Sequence, residues 1–103
     1  MRILVVDDHE VERKGICSVL ETDPKLTICG EAVNGHDAVE KAAALRPNIV
    51  IMDIGMPGMN GLEATREIKR LVPEAEIVIV SRHEAPLLKW FVRRLTQARA
   101  GIA

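Results

Sequence analysis

Acidic residues come directly after two of the aliphatic runs in this sequence. Asp7 and Asp8 follow the run Ile3–Val6, and Asp53 follows the run Ile49–Met52. Carboxylates that converge in one shallow pocket repel one another, and a hard divalent cation with oxygen ligands relieves that repulsion. These residue types therefore indicate a site for Mg²⁺, with one coordination position left for a phosphate oxygen.

Short aliphatic runs alternate with longer helical patterns along the chain, which predicts repeated βαβ units and a parallel sheet. The predicted strands are Ile3–Val6, Leu26–Cys29, Ile49–Met52 and Ile77–Val80. The predicted helices are 10–22, 36–45, 61–71 and 86–98. Right-handed crossovers bring the carboxyl ends of parallel strands to one edge, where α/β sheets bind ligands. A flavodoxin-like, doubly wound sheet of strand order 2-1-3-4 places the first strand beside the third, so Asp8 is expected close to Asp53.

Ser81 follows the fourth predicted strand directly, and its register opposite Asp53 adds it to the candidate site. A serine at a strand end is more often a turn residue, so this assignment depends on that register. The segment 54–61 contains glycines whose backbone can approach an anion closely. Asn60, with Glu63 three residues later, predicts a capping box that opens the third helix.

Composition limits the class of protein. A chain of 103 residues, of which 48% are hydrophobic, is large enough for one domain, residues 1–103, and too short for a second. Its 14 Lys and Arg nearly balance its 15 Asp and Glu, so direct nucleic-acid binding is disfavoured. The first apolar run ends at Asp7, far short of a signal peptide or a membrane span, and we expect a cytoplasmic protein.

The cysteines and two of the histidines have simpler interpretations. Cys17 and Cys29 lack metal-ligand spacing, and both are predicted to be small buried hydrophobic residues. His9 and His36 are predicted to be surface residues, because neither has a paired ligand at helical spacing. The pair Asn34-Gly35 predicts a turn before the second helix.

From residue 1 to about residue 84 the chain resembles the receiver domains of bacterial response regulators. The resemblance is carried by Val5-Val6-Asp7-Asp8-His9, by Gly30-Glu31-Ala32-Val33-Asn34-Gly35 and, most specifically, by Asp53-Ile54-Gly55-Met56-Pro57 with its glycine-rich turn. It is closest to the subgroup whose receivers precede a LuxR-type helix-turn-helix domain. That output domain is absent from this sequence.

The resemblance implies a role for each site residue. Asp53 would accept a phosphoryl group from the phosphohistidine of a sensor histidine kinase, Asp8 would bind Mg²⁺ directly, and Asp7 would bind it through a water. The carbonyl of Gly55 would complete the protein ligands, and Ser81 would hydrogen-bond the phosphoryl group. The expected output is a conformational shift that changes partner interactions, with no catalysis beyond self-catalysed phosphorylation and dephosphorylation.

The sequence departs from that family near its C-terminal end. Receiver domains continue through a fifth strand, which carries a lysine and is preceded by an aromatic switch residue, and then a fifth helix, whereas no lysine follows Lys89 here. We therefore expect the fifth strand and helix to be missing or incomplete. Ile77–Val80 would then be an exposed sheet edge, and two chains are predicted to associate through this edge or through the fourth helix, 86–98.

Two other functions stay open. A pseudo-receiver would keep the fold and the acidic pocket without switching by phosphorylation, and the missing lysine favours it. A phosphatase with an aspartyl nucleophile needs a general acid two residues after that nucleophile, where this sequence has Gly55. The phosphatase is therefore disfavoured.

Overall fold

The structure, a computed structural model, describes residues 1–53 and 61–80. Strands and helices alternate along these residues as β1 (Arg2–Val6), α1 (Glu10–Glu21), β2 (Thr27–Ala32), α2 (Gly35–Leu45), β3 (Ile49–Asp53), α3 (Gly61–Leu71) and β4 (Glu76–Val80). The strands pair in parallel in the order β2-β1-β3-β4. The predicted flavodoxin-like order is therefore confirmed. The predicted helix 86–98 lies outside the described residues.

The two central strands consist of aliphatic residues because both faces of the sheet are covered there. In β1 and β3 alternate side chains enter different cores, since successive side chains of a strand point to opposite faces. One core joins the sheet to α1, and its central members are Ile3, Val5, Ile16, Leu20, Ile49 and Ile51. The other core joins the sheet to α2 and α3, and its central members are Leu4, Val6, Ala38, Val50, Met52, Ala64 and Ile68.

The helices on the second face approach the sheet through small residues. Ala38 and Ala42 of α2 and Ala64 of α3 are fully buried. Short side chains let helices pack closely on a sheet, which suits a chain with only 2% aromatic residues.

The start of α2 is a reciprocal cap rather than a simple turn. The side chain of Asn34 accepts a hydrogen bond from the backbone N–H of Asp37 at 2.8 Å, and Asp37 Oδ2 accepts one from the N–H of Val33 at 3.0 Å. Gly35 is the first residue of the helix, which begins one position earlier than predicted. Asn60, the predicted cap of α3, lies outside the described residues.

The second strand differs from its prediction at both ends. Leu26 precedes the strand, which runs on through Glu31 and Ala32 to follow the whole length of β1. Gly30 lies within the strand. A Cβ there would lie 2.8 Å from the Cδ1 atom of Leu45, so a larger residue would require that side chain to shift. The register shifts beside Ile3, and Cys29, next to that irregularity, is half-buried rather than buried as predicted.

Within the described strands, β4 lies at one end of the sheet. Its residues alternate between buried Val78 and Val80 and half-buried Ile77 and Ile79. The predicted association of two chains through this strand stays a prediction. No helix in residues 1–53 and 61–80 is long and apolar enough to span a membrane.

Candidate functional site

The register of the two central strands brings two predicted site residues together. Val6 of β1 pairs with Met52 of β3, so the next residues, Asp7 and Asp53, come to the same level of the sheet. Both carboxylates continue the series of side chains that faces α1. Asp7 is 2% exposed and Asp53 is 9% exposed. The strand ends thus hold two buried carboxylates at the edge where α/β sheets bind ligands.

The first turn of α1 adds two more side chains to this site. His9, whose backbone is extended, precedes the helix, and Glu12 lies in its first turn. One potential ligand atom from each of Asp7, His9, Glu12 and Asp53 lies within 4.8 Å of all the others. The backbone N–H of His9 donates to Asp7 Oδ1 at 2.8 Å, which orients that carboxylate.

The charge of Asp7 is unfavourable in the protein without a cation. Burial raises the pKa of Asp7 above its ordinary 3.8, although the hydrogen bond from the N–H of His9 opposes that effect. The negative charges of Asp53, Glu12 and Asp8 raise the pKa of Asp7 further. A divalent cation in the pocket would reverse this balance, because it would be the largest local charge.

Asp8 provides the test of whether such a cation fits. Its side chain is 23% exposed, but its Oδ1 atom is buried and has no hydrogen-bond partner among the residues that the structure describes. A buried carboxylate oxygen without a hydrogen bond is costly, and coordination to a hard cation would satisfy it. The donor set, several carboxylate oxygens at one strand edge, is the kind that Mg²⁺ binds.

A second charged cluster, formed by Arg13, Lys14 and Glu31, lies beside the acidic pocket. Arg13 Nε donates to Glu31 Oε1 at 2.9 Å, and Lys14 Nζ lies 3.0 Å from Glu31 Oε2. The other end of the Arg13 guanidinium, Nη1, donates to the backbone carbonyl of Asp7 at 2.9 Å. Arg13 therefore fastens the backbone of the pocket to α1, while its charge is paired with Glu31.

The structure tests the geometry of the predicted site only in part. It brings Asp7 and Asp53 together, and it places Asp8 3.0 Å from Nδ1 of His9. The expected approach of Asp8 to Asp53 stays a prediction. Gly55 and Ser81 lie outside the described residues, although Val80, the residue before Ser81, is the partner of Asp53 in the sheet.

Sequence reasoning missed two side chains of the pocket. His9 is exposed, as predicted, but its Nδ1 lies 3.9 Å from Oε2 of Glu12, three residues later, so the two side chains are neighbours at the pocket. That spacing at a predicted helix start was the available signal.

His36 is exposed, as predicted. Cys17 is buried, and burial raises the pKa of its thiol to about 11, as suits an unreactive core residue.

Fold and site together define a doubly wound α/β domain with a buried acidic site at the carboxyl ends of its central strands. The sequence profile of one family, the response regulator receiver domain, matches residues 3–97. The chain therefore belongs to the response regulator receiver domain family.

Individual relatives agree with this membership. The chain is 42% identical over 100 residues to response regulator GacA of Pseudomonas viridiflava, and the match covers 97% of this chain and 45% of GacA. It is 42% identical over 81 residues to response regulator protein VraR of Staphylococcus epidermidis, covering 79% and 39% of the two chains. The chain thus spans less than half the length of these curated relatives.

A solved structure gives the same result. The two-component response regulator of the LuxR family from Aurantimonas superposes with a TM-score of 0.75 at 37% identity, covering 87% of this chain and 66% of that one. The predicted resemblance to receivers of LuxR-type regulators is therefore confirmed.

Proposed function

We propose that this domain accepts a phosphoryl group on Asp53 from the phosphohistidine of a sensor kinase, with Mg²⁺ bound in the acidic pocket. The observation that carries the proposal is the placement of Asp53 at the end of a buried central strand, in register with Asp7. Family membership supports the same reaction. The proposed cellular location is the cytoplasm.

The transfer requires few changes in bonding. An Asp53 carboxylate oxygen attacks the phosphorus atom, the phosphorus–nitrogen bond of the phosphohistidine breaks, and the imidazole nitrogen leaves with the electron pair. Hydrolysis ends the signal. A water oxygen attacks the same phosphorus, the bond from phosphorus to the Asp53 oxygen breaks, and inorganic phosphate leaves. Reactions of this kind depend on positioning and charge neutralisation more than on acid–base chemistry.

The residues proposed to hold the cation are Asp7, Asp8 and Asp53, with the carbonyl of Gly55 added by the family resemblance. Bound there, Mg²⁺ would neutralise charge that develops on the phosphoryl oxygens. Asp7 is oriented for this task by the N–H of His9, and its backbone is fixed by Arg13. Asp53 is held rigidly because its strand is buried throughout.

The proposed consequence of phosphorylation is a change in partner interactions. By resemblance, the hydroxyl of Ser81 hydrogen-bonds the phosphoryl group and couples its arrival to a conformational shift. The curated relatives are longer than this chain, and we propose a LuxR-type DNA-binding domain as the output partner of the receiver. In this proposal the domain is a switch, and its only catalysis is the gain and loss of its own phosphoryl group.

The test is phosphorylation by a small-molecule donor, acetyl phosphate, followed by intact mass spectrometry with and without Mg²⁺. The wild-type chain should gain one phosphoryl group only when Mg²⁺ is present, and Asp53→Asn should gain none. Asp23→Asn is the matched control, because it removes a carboxylate from the loop before β2, and it should behave as the wild type. Failure of the wild type to react would favour the pseudo-receiver, an interaction module that is not switched by phosphorylation.

A further inference from the structure

The imidazole of His9 lies among carboxylates on several sides. Its Nδ1 atom is 3.0 Å from Asp8 Oδ1, 3.7 Å from Asp7 Oδ1 and 3.9 Å from Glu12 Oε2. The side chain is half-exposed, so the ring borders both the pocket and the solvent. A nitrogen donor therefore joins a group of oxygen donors.

The position of His9 in the chain does not account for this orientation. His9 is the residue before α1, where side chains commonly accept hydrogen bonds from the first turn of the helix. Its side chain makes no such capping bond. The ring lies near the carboxylates and makes no hydrogen bond to the first turn of its own helix.

The shortest of these contacts lacks the geometry of a hydrogen bond. Asp8 Oδ1 has no hydrogen-bond partner within residues 1–53 and 61–80, although Nδ1 of His9 is only 3.0 Å away. In the protein without a cation this is an ion-pair contact. With a neutral imidazole the same separation is that of neighbouring ligands on one cation. In an octahedral site with metal–ligand bonds of about 2.1 Å, adjacent ligands lie about 3.0 Å apart.

We propose that Nδ1 of His9 is a ligand of the cation in the acidic pocket, and that it raises the preference of this pocket for transition metals over Mg²⁺. This inference rests on the cation site of the proposed function and adds a ligand to it. One companion ligand is Asp8, whose Oδ1 lies 3.0 Å from Nδ1 of His9. The others are Asp7, Asp53 and Glu12, whose ligand atoms all lie within 4.8 Å of one another and of His9. Imidazole is a good ligand for Fe²⁺, Co²⁺, Ni²⁺ and Zn²⁺, whereas Mg²⁺ prefers oxygen.

Calorimetric titration of the full chain with Mg²⁺ and with Co²⁺ tests the preference. His9→Gln should weaken Co²⁺ binding by about tenfold or more and leave Mg²⁺ binding nearly unchanged. His36→Gln and His83→Gln, which remove the other two histidines of the sequence, are the controls and should keep the wild-type affinities. An equal loss for both cations in His9→Gln would assign His9 a general electrostatic role and overturn the proposal.

Pulsed electron paramagnetic resonance of bound Mn²⁺ identifies the ligand atom directly. The wild-type chain should show the nuclear coupling of a coordinated imidazole nitrogen, and only His9→Gln should lose it. Coupling that survives in His9→Gln, or that disappears in either control instead, would contradict the assignment.

Labelling with acetyl phosphate separates failure of this inference from failure of the proposed function. If Asp53 is labelled in the presence of Mg²⁺ and His9→Gln leaves the Co²⁺ affinity unchanged, the inference is wrong and the proposed function stands. If the wild type binds neither Mg²⁺ nor Co²⁺, both are wrong.

Discussion

Two carboxylates on neighbouring strands, at the same edge of the sheet, have opposite electrostatic surroundings. Burial, with the nearby charge of Asp53, raises the pKa of Asp7 above its ordinary value. Hydrogen bonding to Lys14 lowers the pKa of Glu31, and Arg13 acts in the same direction. The strands are adjacent, since the backbone N–H of Asp7 donates to the carbonyl of Ala32, the residue after Glu31.

Burial of Asp7 and the hydrogen bond from Lys14 to Glu31 are the largest causes of this difference, and the Arg13 guanidinium adds to it by where it directs its hydrogen bonds. The Arg13 side chain is only 11% exposed and contacts both the acidic pocket and the cluster around Glu31. It donates to the backbone carbonyl of Asp7, but the carboxylate to which it donates is that of Glu31. A structural carboxylate in this fold is therefore paired with fixed cations. The carboxylate of Asp7 keeps a raised pKa, which suits a site that receives an exchangeable cation.

The largest expected effect on stability follows from removing Arg13. Arg13→Met keeps most of the aliphatic volume but breaks the bonds to Glu31 and to the Asp7 carbonyl, so the free energy of unfolding should fall by about 2 to 3 kcal/mol. Urea denaturation measures this change. A loss no greater than that of the surface variant Arg66→Met would show that Arg13 does not hold the two regions together.

Mg²⁺ affinity should respond to a charge removed from the acidic pocket, as in Asp7→Asn, but not to one removed from the neighbouring cluster. The variant should bind Mg²⁺ about tenfold or more weakly in calorimetric titration, because it removes one negative charge and one oxygen ligand from the pocket. Glu31→Gln removes the same charge from the neighbouring cluster and should keep the wild-type affinity. Equal losses in the two variants would mean that the total charge of this edge, rather than the pocket, binds the cation.

The predictability of these two regions from sequence differs for a physical reason. The convergence of Asp7 and Asp53 follows from aliphatic runs that must form buried central strands, and strand ends in such a sheet share one edge. The bond between Arg13 and Glu31 joins residues that are 18 positions apart and depends on how α1 lies across β2. No local pattern contains that information.

The same distinction explains the other misses. β2 extends through Gly30 and Glu31 because β1 offers backbone partners along its full length, which residue propensities do not record. Glu12 and His9 reach the pocket because the chain enters α1 in a particular direction. Helical spacing indicates that these two side chains are neighbours, but only the tertiary structure shows which residues they face.

Glu31→Gln should have a smaller effect on stability that depends on pH. The folded-state pKa of Glu31 lies below its ordinary 4.5, so its stabilisation is present above that value and is lost as pH falls through the folded-state pKa. At pH 7 the variant should lose about 1 kcal/mol of unfolding free energy. Denaturation at neutral and at acidic pH should show the difference shrinking in acid, and Glu40→Gln, at an exposed position of α2, should show no difference.

The smallest expected effect is that Asp7→Asn raises the free energy of unfolding when no metal is bound. Because the folded-state pKa of Asp7 is raised, its ionised form costs stability as pH rises from 3.8 through that folded-state value. In a chelator, Asp7→Asn should therefore be more stable than the wild type at pH 7, by on the order of 1 kcal/mol, and equally stable in acid. Thermal denaturation at both pH values checks this. Saturating Mg²⁺ should reverse the order, since it stabilises the wild type more.

The most direct test of phosphorylation at Asp53 is to locate the phosphoryl group in the chain. After reaction with acetyl phosphate and Mg²⁺, borohydride converts an aspartyl phosphate to homoserine, which peptide mass spectrometry assigns to one position. We predict homoserine at position 53 and unmodified aspartate at positions 7 and 8. Homoserine at position 7 or 8 with Asp53 intact would contradict this prediction, because the phosphoacceptor would then not be Asp53.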